Sequence, residues 1–495
     1  MTVSDLKFFF RPRAVAIIGA SREEEKPGHV ILANFLENKR KGRFKGEVYA
    51  VNPFVDEILG IKTYPTVLDI PDEVDLGVIV VPAKVVPKVM EDCGMKGVKG
   101  VIIISAGFSE IGNVELEEKI KNIAFRYGVR IIGPNCIGIY DPYGGIDTFF
   151  LPVYKVLKDG RRIVSTPRPR RGYISLMSQS GAFGTAALDY MSGENIGMSS
   201  FVSYGNKADI DEADLLEYFA EDENTRAIMI YAESIERGRK FIEVASKASL
   251  KKPIIALKAG RTSAGSRAAA SHTAAMTGVD EIYEAAFKKA GVIRTYTTEE
   301  FFDAAKALAF QPPAKGRRVG IITDGGGAGV MTTDALETLG MEVPELTGET
   351  RRRLKELVEK GILPPFVTLG NPVDLTGSVT VEMYVETFRI LMESDQIDIV
   401  IVLALHHVPG VADPIELVNE LVEEARNFNK PVIACDIGGS QMAVMVREEF
   451  DKNFIPSYPS PERSAHAARA LAEYGTYLRK KGVFEEYMKK WRPII

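Results

Sequence analysis

One imidazole, His272, stands in the run 259–278, Ala-Gly-Arg-Thr-Ser-Ala-Gly-Ser-Arg-Ala-Ala-Ala-Ser-His-Thr-Ala-Ala-Met-Thr-Gly, where almost every neighbour is too small to anchor a core. A histidine near its ordinary pKa of about 6.5 is partly neutral at pH 7, so a free ring nitrogen can attack phosphorus and hold a phosphoryl group. The same composition also describes a surface loop with an incidental histidine, because loops longer than about 12–15 residues are functional or disordered. A mobile loop is the expected conformation in either case. What else the chain offers an anion decides between the two.

Two stretches answer that need. Ser180-Gly181 and Gly325-Gly326-Gly327 each follow a run that reads as a strand and precede a helical pattern. A tight small-residue turn there presents unpaired N–H groups and the positive end of a helix dipole to phosphate, about 0.3–2 kcal/mol per helix end. Neither turn has the lysine of a P-loop. Glu233 ends the apolar run 227–232, where it can accept a hydrogen bond from one nitrogen of His272 and leave the other nucleophilic, or pair with Arg237 at the surface.

Five β-branched runs, at 15–18, 48–51, 76–81, 101–104 and 130–132, read as buried parallel strands of a doubly wound sheet. Each ends in a turn of small or polar residues: Gly19-Ala20-Ser21, Asn52-Pro53, Pro82-Ala83, Ser105-Ala106-Gly107 and Gly133-Pro-Asn135. Such turns lie at the carboxyl ends of the strands and face one cleft. Lys26 and Gly28 add a cation and room for close backbone approach. Asn52 stands where a dinucleotide fold would carry an acidic residue for the ribose, which disfavours NAD. Cys136, next in that cleft, reads as ligand-facing or as a buried thiol.

The second half of the chain repeats itself. Residues 174–184 echo 320–329, Gly205-Asn-Lys-Ala-Asp209 echoes Gly370-Asn-Pro-Val-Asp374, 252–256 echo 430–434, and Ala304-Ala-Lys-Ala-Leu-Ala309 echoes Ala467-Ala-Arg-Ala-Leu-Ala472. Four matches in one order indicate a duplicated α/β domain. Only the first copy carries the histidine segment. With a Pro/Arg-rich connector at 161–172 and Gln311-Pro-Pro at the second junction, the division is 1–145, 146–312 and 313–495.

The whole-chain properties set limits. The 495 residues are 45% hydrophobic and 26% charged with a net charge of −5, an ordinary globular composition without a basic stripe for nucleic acid or a polybasic membrane patch. No apolar run reaches the roughly 18 residues of a membrane span, and no signal peptide opens the chain, so a cytoplasmic protein is expected. Cys93, Cys136 and Cys435 are far apart and fit a reducing compartment. Glutamine occurs only at positions 179, 311, 396 and 441, a bias of heat-adapted proteins. His29 and His466 read as packing or surface residues. The adjacent His406 and His407 are expected on opposite faces of a strand end, and no metal is assigned.

Together, Gly19-Ala-Ser21 with Lys26-Pro-Gly28, Val51-Asn-Pro53, Val81-Pro-Ala83, Ser105-Ala-Gly-Phe108, Gly133-Pro-Asn-Cys136, Ser178-Gln-Ser-Gly181, Gly205-Asn-Lys-Ala-Asp209, Tyr231-Ala-Glu233 and Ser271-His-Thr273 resemble the α subunits of ADP-forming acyl-CoA (acetyl-CoA) synthetases, in the succinyl-CoA synthetase superfamily. The resemblance covers almost the whole chain. It implies a Rossmann-like CoA-binding domain followed by two flavodoxin-like domains, with His272 phosphorylated, Glu233 as its partner, and Ser180-Gly181 and Gly325–Gly327 as phosphate-holding helix ends. It implies reversible conversion of acyl-CoA, ADP and phosphate to acid, CoA and ATP through an acyl phosphate, with ADP/ATP and magnesium on a separate ATP-grasp β subunit in an α2β2 assembly. The family often follows Ser-His-Thr with glycine and small aliphatics, where Ala274-Ala-Met276 stands here. A non-catalytic acyl-CoA-binding regulatory module is the competing reading, which the retained His272 disfavours.

Overall fold

The computed structural model describes residues 6–273 and 279–494, without the side chains of 269–273. It divides into two compact units, residues 1–294 and 295–495.

The first unit opens with a seven-stranded sheet. In spatial order its strands are Glu57–Ile58, Ile61–Tyr64, Glu47–Val51, Ala14–Ile18, Leu76–Ile79, Gly100–Ile103 and Arg130–Ile132. The five expected strands are all present, and each pairs in parallel with its neighbour. Ala14–Ile18 and Leu76–Ile79 are buried at every position. That is why they read as continuous apolar runs: helices cover both faces of a parallel sheet. The order is that of a dinucleotide-type fold, with the strand sequence reversing beside Ala14–Ile18.

The same unit carries a second sheet, ordered Val292–Thr295, Ile254–Lys258, Ala227–Ala232, Arg171–Ser178, Met198–Ser203, Gly138–Asp141 and Ile146–Asp147. Strands from 138–147, at the end of the first segment of sequence, thus extend the second sheet, antiparallel to Met198–Ser203. The Pro/Arg-rich connector begins as one arm of an exposed antiparallel hairpin, Tyr154–Val156 against Arg162–Val164, before Arg171 enters the central strand. Arg168 beside it pairs with the buried Asp147 at 2.9 Å.

The second unit holds the third sheet: Ser457–Tyr458, Val432–Cys435, Ile399–Leu403, Val319–Thr323, Val373–Asp374 and Thr368–Leu369. Numbering the five shared strands of each copy in chain order, both sheets run 2-1-3-4-5, the flavodoxin-like arrangement. The duplication read in the sequence is therefore a duplication of topology. The helix Thr298–Phe310, which closes the first copy in sequence, belongs to the second unit. There it packs on Pro461–Lys480, its own repeat. A buried pair locks the two, Arg463 clasping Asp303 at 2.7 Å, and Lys306 reaches Asp451 of the helix Gln441–Lys452 at 3.0 Å.

Residues 263–273 are not a loop but the helix Ser263–Thr273. Its alanines, Ala264 and Ala268 to Ala270, are the strongest helix formers. The absence of large side chains removed the amphipathic signal but not the propensity.

Candidate active site

A cavity of about 990 Å³ lies within the first unit. Val81, Pro82, Ser105, Ala106 and Asn135 from the strand-end turns of the first sheet line it, with Lys26. Ser180 and Gly181, which start a helix on the second sheet, line it too. Eight residues singled out from sequence for two separate tasks thus share one cleft.

The remaining cleft residues build its walls. Gly19 has φ +100°, and a Cβ on Gly28 would lie 2.1 Å from the Gly19 carbonyl oxygen, so two glycines let the first helix start directly against the turn. Asn52 Nδ2 donates to the Ala20 carbonyl at 2.7 Å, and its Oδ1 accepts from Phe54 N at 2.8 Å, which ties the second turn to the first. Ser21 Oγ accepts from Glu23 N at 3.0 Å. Gly107 N donates to Glu110. Gly19, Ala20, Ser21, Gly28, Asn52, Pro53 and Gly107 are not among the residues that line the cavity. Cys136 is both things the sequence allowed: it lines the cavity, and burial pushes its thiol up to about 12, which leaves it a neutral wall.

Ser180 caps the helix Gly181–Gly193, accepting from Phe183 N at 3.3 Å. Its hydroxyl is already engaged, so what the turn offers an anion is mainly its backbone N–H groups. Ser178 Oγ donates to the Ser180 carbonyl at 2.7 Å and fixes the turn. A Cβ on Gly181 would meet Ile137 Cγ1 at 2.9 Å, so glycine brings the helix start close to the cavity wall.

Sequence reasoning passed over Gln179, which sits between these serines and lines the same cavity. The register pairs Ser178 with Tyr231, so the next residue along is level with the end of the neighbouring strand. Its Oε1 accepts from Glu233 N at 2.9 Å and Ser234 N at 3.0 Å, while its Nε2 donates to Ser234 Oγ at 3.3 Å. Glu233 is buried, 4% exposed. The surface pairing with Arg237 does not occur: Arg237 bonds Asp211 and, at 2.7 Å, Asp214. Lys207, from the Gly205-Asn-Lys turn, donates to the Ser234 carbonyl at 2.8 Å and lies 3.7 Å from the buried Glu212. Burial raises the Glu212 carboxyl to about 7 against the pull of that lysine.

Three further missed residues border the cleft. Glu110 accepts from Asn206 Nδ2 at 2.6 Å. Burial alone would raise its pKa, but the bonds from Asn206 and the Gly107 and Phe108 N–H groups hold it below the ordinary carboxylate range. Phe150 and Leu151 add apolar wall. No sequence pattern marked these side chains: Glu110 meets Asn206 from 96 residues away, and Phe150 and Leu151 follow strands that join the second sheet.

In the second unit, Gly325 is the N-cap of the helix Gly326–Thr338 and no side chain caps it. A Cβ on Gly327 would meet nothing within 4 Å, whereas one on Gly326 would come 2.6 Å from Asp374 Oδ2. The buried Asp324, which burial raises to about 6, precedes the turn. The backbone here suits an anion, yet two carboxylates stand beside it; the Ser180 turn has no such neighbours among its described hydrogen bonds. The side chain of His272 lies outside the described residues; its backbone is in the helix Ser263–Thr273.

The histidine pair departs from expectation. His406 and His407 lie past the end of the strand Ile399–Leu403, in a turn where alternation no longer holds, and their rings are 4.5 Å apart. Among the described residues no group of three or more histidine, cysteine or acidic side chains is placed to hold a metal, and no helix is long and apolar enough to cross a membrane.

Comparison with known proteins adds the following. Residues 13–142 match the family described as CoA binding domain, residues 171–308 the succinyl-CoA ligase like flavodoxin domain, and residues 319–473 the Ligase-CoA domain. The acetate–CoA ligase [ADP-forming] I subunit alpha of Pyrococcus furiosus is 42% identical, over 96% of this chain and 99% of that protein. An acetate–CoA ligase [ADP-forming] of Methanocaldococcus jannaschii is also 42% identical, over 98% of this chain, which spans only 65% of that longer relative. The dinucleotide-forming acetyl-coenzyme A synthetase 1 of Ca. Korarchaeum cryptofilum, solved with phosphate and ADP, superposes with a TM-score of 0.86 at 39% identity, covering 96% of this chain and 99% of that one. The chain belongs to the family of ADP-forming acetate–CoA ligases and corresponds to their α subunits.

Proposed function

We propose that this chain is the acyl-CoA-handling and phosphate-carrying subunit of an ADP-forming acyl-CoA synthetase, converting acyl-CoA, phosphate and ADP to acid, CoA and ATP. The observation that carries this is the single cleft lined by Lys26, Val81, Ser105 and Asn135 on one side and by the Ser180–Gly181 helix start on the other. CoA bound over the first sheet brings its thioester to the N–H groups that would hold attacking phosphate, and later the phosphoryl group on His272. Gly19, Ala20, Ser21, Gly28, Asn52, Pro53, Pro82, Ala106 and Gly107 shape the CoA turns. Glu233 accepts a hydrogen bond from the N–H of one ring nitrogen of His272, which fixes the tautomer and leaves the other nitrogen nucleophilic.

The helix at 263–273 suits a residue that must be charged in one place and discharged in another. With 11 residues it is shorter than the roughly 12–15 at which isolated helices hold, so unwinding it costs little. ADP and magnesium would sit on a partner, a β subunit of ATP-grasp fold in an α2β2 assembly; the longer Methanocaldococcus jannaschii relative is consistent with an additional segment of that kind. Gly325–Gly327 is the candidate second phosphate-holding turn, with Asp324 protonated when the anion is near. We read residues 1–145, 146–312 and 313–495 as three functional modules.

The test is to incubate the chain with acetyl-CoA and radiolabelled phosphate, with the partner subunit supplied. Acid-labile label that is absent from His272→Ala is expected. A labelled His272→Ala protein, or an unlabelled wild-type chain with active partner, would leave only the acyl-CoA-binding role.

A further inference from the structure

The second unit contains a constellation that this synthetase chemistry does not use. Asp436, His406 and Ser440 form a continuous chain of hydrogen bonds: His406 Nδ1 lies 2.8 Å from Asp436 Oδ2, and His406 Nε2 lies 2.9 Å from Ser440 Oγ. Asp436 is buried, the His406 side chain is 10% exposed, and Ser440 is at the surface. A buried carboxylate, a nearly buried imidazole and an accessible hydroxyl in that order are what an activated serine requires.

The fold holds each member in place. Asp436 follows the strand Val432–Cys435, and its other oxygen accepts from Gly438 N at 3.0 Å. His406 comes from the turn after the adjacent strand, Ile399–Leu403. A Cβ on Gly438 would stand 2.4 Å from His406 Cε1, so only glycine lets the imidazole seat there. Arg447 clamps the intervening turn by donating to the Asp436 and Gly438 carbonyls at 2.8 and 2.7 Å. Ser440 starts the helix Gln441–Lys452, whose first-turn N–H groups have no carbonyl four residues earlier in the helix to bond. His407 Nδ1, 3.3 Å from His406 Nε2, is the one competing neighbour among the described hydrogen bonds. The half-exposed Ile437, Met442 and Met445 flank the serine with apolar surface.

We propose that Ser440, His406 and Asp436 form a second nucleophilic site, acting on activated carboxylic esters and thioesters. Ser440 Oγ bonds to the acyl carbon as its proton passes to His406 Nε2, and the oxyanion faces the first-turn N–H groups of Gln441 and Met442. The bond from carbon to the leaving oxygen or sulfur then breaks, and the leaving group takes the proton from His406. Water, giving a proton to His406, hydrolyses the acyl-serine; the carboxylic acid departs and Ser440 recovers its proton. Nothing in this cycle needs His272 or the first unit.

The full-length chain is incubated with p-nitrophenyl acetate, nitrophenolate release is followed, and trapped adducts are mapped by mass spectrometry. An acetyl group on Ser440 is expected, with release falling about tenfold or more in His406→Ala. Because Ser440 also caps its helix, accepting from Ala443 N at 3.2 Å, the decisive variant is Ser440→Asn, which keeps a capping side chain and removes the hydroxyl. It should fold with an unchanged melting temperature, carry no adduct and hydrolyse at the background rate, while Ser440→Cys retains acylation. If Ser440→Asn hydrolyses the ester as fast as the wild type, or the wild type carries no adduct on Ser440, the three residues are a helix cap and the proposal fails.

Discussion

Gln179 Oε1 accepts the backbone N–H groups of both Glu233 and Ser234, so one amide joins the helix start at Ser180 to the strand end that carries the buried carboxylate. Replacing it by leucine leaves two buried N–H groups without that acceptor, at about 1–3 kcal/mol each, and frees Glu233 to shift. Gln179→Leu should lower phosphorylation of the chain by about tenfold or more, with CoA binding measured by calorimetry little changed. Gln179→Glu, which keeps an acceptor oxygen, should recover part of the loss.

Gly28 allows the first helix to start against the Gly19 carbonyl, 2.1 Å from where a Cβ would stand. Gly28→Ala must push turn and helix apart, costing about 1–3 kcal/mol, and the KM for CoA should rise about tenfold or more. Thermal melting with and without CoA separates the two effects: the variant should lose most of the ligand-induced shift.

Lys26 is largely exposed at the cavity mouth, with Glu23 3.9 Å away as a weak partner. Its contribution to a phosphate-bearing ligand should be correspondingly small. Lys26→Ala is expected to weaken CoA binding roughly two- to fivefold at low ionic strength and less at high salt, as titration in the two buffers would show.

The carboxyl of Glu212 is raised by burial to about 7 in the fold from an ordinary 4.5. A raised acid favours its neutral form in the folded state, so it costs nothing below pH 4.5, costs progressively more as pH climbs to about 7, and stays at that cost above. Stability should therefore fall across that window. Glu212→Gln should flatten this part of the pH profile and add up to about 3 kcal/mol at pH 8 in denaturant melts, since Lys207 keeps its bond to Ser234.

Much of this arrangement is written in local sequence. Strands such as Ala14–Ile18 and Leu76–Ile79 are buried on both faces, so the apolar run survives as a signal, and the repeat of 320–329 on 174–184 carries the shared strand order of the two flavodoxin-like sheets. The turns were legible because glycine at positions 19 and 28 answers a backbone demand that leaves a mark on composition. Other features arise from contacts distant in sequence. Gln179 reaches Glu233 across 54 residues, and nothing about a glutamine beside a serine announces that bond. The alternation expected of His406 and His407 failed because the strand had ended at Leu403. The helix at 263–273 was hidden by the same alanines that form it, because an amphipathic stripe needs large residues to be seen.

The pairing of Thr298–Phe310 with Pro461–Lys480 bears on how this molecule can be dissected. The Pro-Pro step at 312–313 invites a cut, but a fragment beginning there would lack Asp303 and Lys306, taking one ion-pair partner each from Arg463 and Asp451 and baring an alanine-rich helix face. A fragment beginning near 295 keeps both clasps. Soluble expression of the longer piece and aggregation of the shorter would show that the evolutionary seam of the duplication and the mechanical seam of the folded protein lie a helix apart.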